Sequence, residues 1–221
     1  MRTIIFVDGF NLYFRLLRAR PADKWLNPKL LAENVLSPAN IVTEVNYYTA
    51  RVSGRLDVDA PRRQQVYFDA LSTVPEVKIH MGMFLSKEKW AALVHPPQFM
   101  PPLGAAMAKP WADVVKILKT EEKGSDVNLA SHLLFKTFRN EYDVAAVISN
   151  DSDLVEPIRL ATQEMGKIVG LLSPVNNPNP QLAAAASFVR RIRPNHLTSS
   201  QLNNPLTLED GTVLTRPPTW V

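Results

Sequence analysis

Short apolar runs alternate with stretches of helical periodicity along most of the chain, and that alternation constrains its fold more than any other feature. Residues 3–7 are β-branched and aromatic and stop at Asp8-Gly9, while residues 144–148 are wholly apolar. A strand with no polar side is buried on both faces, which points to a parallel sheet covered by helices above and below. Residues 44–52, 77–85, 167–172 and 188–192 read as further strands, the last a short edge strand. Between them, residues 10–17, 28–35, 61–71, 125–138, 154–165 and 181–186 carry helical patterns, with Pro28 and Pro61 placed to start two of them. Strands alternating with helices predict an α/β fold with a mainly parallel central sheet.

Two segments depart from the pattern. Residues 86–120 contain Pro96-Pro97, Pro101-Pro102 and Gly104, which break regular elements and predict a loop or flap inserted into the domain. From residue 194 the chain is polar and proline-bearing, ending in Arg216-Pro217-Pro218-Thr219-Trp220, and reads as an arm or disordered tail. The expected organisation is one domain over 1–193, with the insertion at 86–120, followed by the 194–221 tail. Cysteine is absent, which excludes disulfides and thiolate metal sites. No apolar run approaches the ~20 residues that span a bilayer. Asp8 interrupts the only apolar run near the N-terminus, so a cytoplasmic protein without a signal peptide is expected. The net charge of +4 permits a polyanionic partner, with arginines grouped at 15, 18 and 20, at 62 and 63, and at 190, 191 and 193.

The acidic residues sit where such a sheet binds ligands, beyond the carboxyl ends of its strands. Asp8 follows the first strand, and Asp151 and Asp153 follow the strand at 144–148. Asp126 opens the helix that leads into that strand, and so belongs to the same edge. If the two strands are neighbours, four aspartates converge. Packed carboxylates repel unless protons or a cation neutralise them. Oxygen donors select Mg²⁺ or Mn²⁺, and such a metal activates water and polarises a phosphoryl oxygen, the chemistry of phosphodiester hydrolysis. Each motif also has a plainer reading. Asp8 and Ser125-Asp126 could be helix caps, and Asp153 with Glu156 has the spacing of a capping box. Asn11 could brace its helix turn or bond a metal-bound water or a phosphate. His80, His95, His132 and His196 show no zinc spacing, and His132 reads as a helix-surface residue. No glycine-rich nucleotide fingerprint is present. A haloacid-dehalogenase phosphatase would need an aspartate where Phe10 stands.

Val-Asp-Gly-Phe-Asn at 7–11, Lys-Gly-Ser-Asp-Val at 123–127 and Ser-Asn-Asp-Ser-Asp-Leu at 149–154 resemble the three signature blocks of the NYN domain, a family of the PIN-like nuclease superfamily. The likeness covers residues 1–193. It implies a three-layer α/β/α sandwich and Mg²⁺- or Mn²⁺-dependent (endo)ribonuclease activity. By the same resemblance Asp8, Asp126 and Asp151 are metal ligands, and Asp153 is a further ligand or binds a metal water. Asn11 and Ser149 support the site, and the backbone near Gly9 and Asn150 contacts substrate phosphates. Apart from the resemblance, Lys123 or nearby arginines are expected to stabilise the phosphate charge. Glu33 and Asp69 are the nearest candidates for the acid that many PIN-like nucleases carry on a middle helix. The expected partner is RNA, with DNA open as a substrate, and a homodimer would extend the basic surface. The rival reading is a module that keeps the metal pocket and binds RNA or protein without cutting.

Overall fold

The computed structural model describes residues 1–55, 57–95, 98 and 111–220. Seven strands form the central sheet: β1 (Arg2–Asp8), β2 (Ile41–Ala50), β3 (Val77–Ala92), β4 (Val114–Lys123), β5 (Val144–Ile148), β6 (Ile168–Ser173) and β7 (Phe188–Arg191). Their spatial order is β4-β3-β2-β1-β5-β6-β7. All neighbours are parallel except β3 and β4.

The helices are α1 (Gly9–Leu12), α2 (Pro28–Val35), α3 (Ala60–Leu71), α4 (Ser125–Phe138), α5 (Val155–Arg159), α6 (Pro180–Ala185) and α7 (Pro194–Thr198). α1 and α5 each run on into a five-residue π-helical turn, Tyr13–Leu17 and Leu160–Glu164. These turns complete the helices expected at 10–17 and 154–165.

The central strand explains the layering. Successive side chains of a strand point to opposite faces, and on β1 both faces are buried. Ile5 and Val7 pack with Leu12, Leu31 and Leu71 on one side. Ile4 and Phe6 pack with Leu129, Leu133 and Ile158 on the other. Helices therefore cover both faces of a mostly parallel sheet, as the apolar runs required. No helix among the described residues is long and apolar enough to cross a membrane.

Three segments differ from their sequence reading. β3 continues to Ala92 and pairs with β4 in an antiparallel ribbon, Met83 opposite Lys123 and Ala92 opposite Val114. Residues 86–92 and 114–120 of the expected flap are thus strands; its paired prolines at 96–97 and 101–102 lie outside the described residues. The ribbon was hard to read because most of its described residues are exposed, so apolar and polar side chains need not alternate. Met83, Leu85 and Trp90 are all exposed.

The C-terminal arm, for its part, folds back onto the domain. Leu197 and Leu202 are buried in the core, Gln201 bridges to Leu26, and a two-stranded hairpin (β8, Leu206–Thr207; β9, Val213–Leu214) follows. Leu197, Leu202, Leu206, Leu214 and Trp220 dock this polar segment, too widely and unevenly spaced to register as periodicity. His132, finally, is half-buried beneath the surface of α4: its Nδ1 lies 3.0 Å from the Tyr48 hydroxyl and its ring meets that of His80 edge-on. Tyr47 and Tyr48 are buried strand residues.

Candidate metal centre

β1 is flanked by β2 on one side and β5 on the other, so the sheet order reverses there. Open α/β sheets leave a ligand-binding crevice at such a point. Asp8 ends β1 and is only 4% exposed. Asp151 follows β5, and Asp126 lies in the first turn of α4. A carboxylate oxygen of each comes within 4.8 Å of the other two.

The bonds around these oxygens show that capping and clustering are not alternatives. Asp8 Oδ1 accepts the Asn11 N–H at 2.9 Å and so caps α1. Asp8 Oδ2 accepts the Ser149 hydroxyl at 2.8 Å, and Ser149 Oγ accepts the Asp151 N–H at 3.0 Å. Asp151 Oδ1 accepts the Asp153 N–H at 3.0 Å, capping the turn Ser152–Leu154. A cap occupies one lone pair of a carboxylate that has about four, so Asp8 and Asp151 keep acceptor capacity facing the crevice. The cap at 149–153 belongs to Asp151, and Glu156 pairs with Arg159 rather than closing a box. Asp126 caps nothing. Glu122 does that work for α4, its two oxygens accepting the Ser125 N–H at 3.1 Å and the Ser125 hydroxyl at 2.6 Å.

The remaining predicted residues divide into those the fold assembles and those it leaves outside. Asn11 Oδ1 accepts the Asn150 N–H at 3.1 Å, and Asn150 Oδ1 accepts the Asn179 N–H at 2.7 Å, which ties three loops together. Gly9 is buried against β2, where a Cβ would lie 2.7 Å from the Tyr48 carbonyl and 2.8 Å from the Tyr47 ring. Asp153 is exposed and outside the three-carboxylate cluster, although its charge reaches Asp126. Lys123 is exposed, with Nζ 2.9 Å from Glu121, and does not line the groove. Arg15 does line it, beside Phe10, Phe14 and Phe84. Glu33 pairs with Lys29, and Asp69 accepts from Gln65, neither of them at the cluster.

The additional acid is Glu122, which sequence reasoning missed. It lines the groove with Asp8, Asp126 and Asp151. Its carboxylate reaches α4 across Gly82, where a Cβ would collide with it and come within 2.8 Å of the Lys123 carbonyl. The available signal was the Glu121-Glu122 pair directly before the Lys-Gly-Ser-Asp block. On a strand one of the two faces Lys119 and Lys123, and the other must face the opposite way.

The charges in the crevice are under strain. Burial raises the pKa of Asp8, Asp151 and Glu122 add to the rise, and the bonds from Asn11 and Ser149 oppose it. Burial, followed by the charges of Asp8, Asp151, Glu122 and Asp153, pushes Asp126 up to about 6. Carboxylates held in this way favour protons or a cation. The donor set, oxygen only and anionic, fits a hard divalent ion of the Mg²⁺ or Mn²⁺ class.

No protein-family model matches the chain. It is 24% identical to 6-hydroxy-3-succinoylpyridine 3-monooxygenase HspA of Pseudomonas putida, over 91% of this chain and 69% of that enzyme. Among solved structures it resembles a protein of unknown function from Vibrio parahaemolyticus, with TM-score 0.51 and 15% identity over 88% of this chain and 94% of that one. At that identity the structural likeness concerns the α/β fold alone.

Proposed function

We propose that the chain is a metal-dependent ribonuclease of the PIN-like, NYN type, hydrolysing RNA phosphodiester bonds at the Asp8–Asp126–Asp151 cluster. The observation that carries this reading is the convergence of those three carboxylates within 4.8 Å at the reversal point of the sheet. They would hold Mg²⁺ or Mn²⁺, which when bound supplies an activated water and a polarised phosphoryl oxygen. Ser149 and Asn11 fix Asp8 in place, so that the donor set is ordered before the metal arrives. Arg15, exposed and lining the groove, is placed to meet a phosphate, and Phe10, Phe14 and Phe84 offer faces for stacked bases.

Cleavage of mixed RNA and DNA substrates with Mg²⁺, Mn²⁺ or EDTA tests the reading, with Asp151→Asn run beside the wild type. Asparagine retains the cap on Asp153 while removing the charge. Cleavage that needs the metal and vanishes in the variant supports a nuclease. Tight RNA binding in Mg²⁺ without cleavage would instead favour the non-cleaving module.

A second reading is favoured by the relative aligned over 91% of the chain together with an aromatic cavity beside the groove. It is oxygenation of a hydroxylated pyridine. A monooxygenase inserts one atom of O₂ and reduces the other to water with two electrons from a donor. Oxygen uptake dependent on a hydroxypyridine and an added two-electron donor would select it; metal-dependent release of RNA fragments would not.

A further inference from the structure

We propose that the cavity beside the acidic groove binds a single heteroaromatic ring bearing an anionic group. The cavity has a volume of about 410 Å³, inside the range typical of small-molecule sites. Tyr13, Phe14, Tyr47, Tyr67, Phe68 and Trp220 line it. Tyr67 stands edge-on to Trp220, with ring centroids 6.0 Å apart, and to Tyr47 at 6.4 Å. Such walls accept a flat ring by stacking or edge contact.

Three polar groups in the cavity have no hydrogen-bond or ion-pair partner among the described residues. The Lys24 ammonium lies 5.5 Å from the centre of the Tyr13 ring and pairs with no carboxylate among the described residues. The neighbouring cation, Arg63, is already paired with Asp57. Tyr47 and Thr49, two residues apart on one face of β2, are buried at 6% and 4% exposure. Their hydroxyls make no hydrogen bond among the described residues, whereas the Tyr67 hydroxyl donates to the Leu26 carbonyl at 2.8 Å. An unpaired cation and two free hydroxyls within aromatic walls match a ring carrying hydrogen-bonding atoms and a negative charge. Burial, and then the nearby Arg63 charge, lower the Lys24 pKa.

Position adds to composition. Phe10 and Phe14 line both this cavity and the acidic groove, and Gly9 of the cavity adjoins Asp8. A ring bound here lies next to the three carboxylates. A nucleotide of a bound strand and a free heteroaromatic acid share the required chemistry.

The test is calorimetric titration of the full chain in EDTA with uridine 5′-monophosphate, pyridine-3-carboxylate, uridine and inorganic phosphate. At least one ring anion should bind about tenfold or more tightly than uridine or phosphate alone. Lys24→Gln should weaken it about tenfold, and Tyr47→Phe severalfold. Preference for the nucleotide identifies a strand-derived ligand, and preference for the pyridine acid a free one. Failure of both to bind, or binding unaltered in the two variants, overturns the proposal. Neither metal nor cleavage enters the measurement, so its outcome is independent of the nuclease reading.

Discussion

Asp126→Asn should make the metal-free protein more stable at neutral pH while abolishing its response to metal. The carboxyl of Asp126 is raised from its usual 3.8 to about 6 by burial and four neighbouring acids. A native pKa above the unfolded one means that the folded chain binds more protons between these values, so stability falls as pH rises from about 4 to about 6. At about 1.4 kcal/mol per pH unit the full penalty is about 3 kcal/mol. Partial exposure of Asp126 screens the charges and reduces this to about 1–2 kcal/mol. Removing the charge also forfeits its attraction to the N-terminus of α4, about 0.3–1 kcal/mol. A net gain of about 1 kcal/mol should remain, raising Tm by about 2–4 °C at pH 7.5 in EDTA. The gain should disappear near pH 4, where the wild-type carboxyl is protonated. Saturating Mn²⁺, at about 100 times its Kd, should stabilise the wild type by about 2.7 kcal/mol and the variant by little. The ranking of the two proteins should therefore reverse when metal is added. Thermal unfolding with and without Mn²⁺ at pH 4.5, 6 and 7.5 reads this directly. A variant less stable than the wild type in EDTA at pH 7.5, or one that responds to Mn²⁺ as the wild type does, would refute the electrostatic argument.

Gly82→Ala should destabilise the fold by about 1–3 kcal/mol, because the added methyl meets Glu122 and the Lys123 carbonyl. It should also lower RNA cleavage by about 10²-fold through displacement of the α4 N-terminus, a loss that calorimetry and single-turnover rates would separate. Leu197→Ala, at a fully buried position of the C-terminal arm, should cost about 2–5 kcal/mol in urea unfolding; an unchanged midpoint would mean that the arm is not docked in solution. Arg15→Gln should weaken RNA binding severalfold and flatten its salt dependence by roughly one counterion, measurable by fluorescence anisotropy at two salt concentrations.

Several parts of the molecule were legible from residue order because they rest on local periodicity. The two-faced burial of Ile4 to Val7 and of Val144 to Ile148 required a covered parallel sheet. Asp8 and Asp151 had to fall at carboxyl ends of strands, and Asp126 at the head of α4, for the same reason. Pairing between distant elements is not encoded in any window of sequence, and only packing decided it. The adjacency of β1 and β5 turned three carboxylates far apart in the chain into one cluster, in which Asp8 and Asp151 serve as both cap and cluster member. Glu122 entered because Gly82 leaves room for it, a relation between two residues forty positions apart in the chain. Lys24, Tyr47, Tyr67 and Trp220 have no pattern in common, yet the returning C-terminal arm closes a cavity around them. Periodicity determined which face each element buries. The tertiary structure decided which carboxylates meet, because burial and repulsion act through space rather than along the chain.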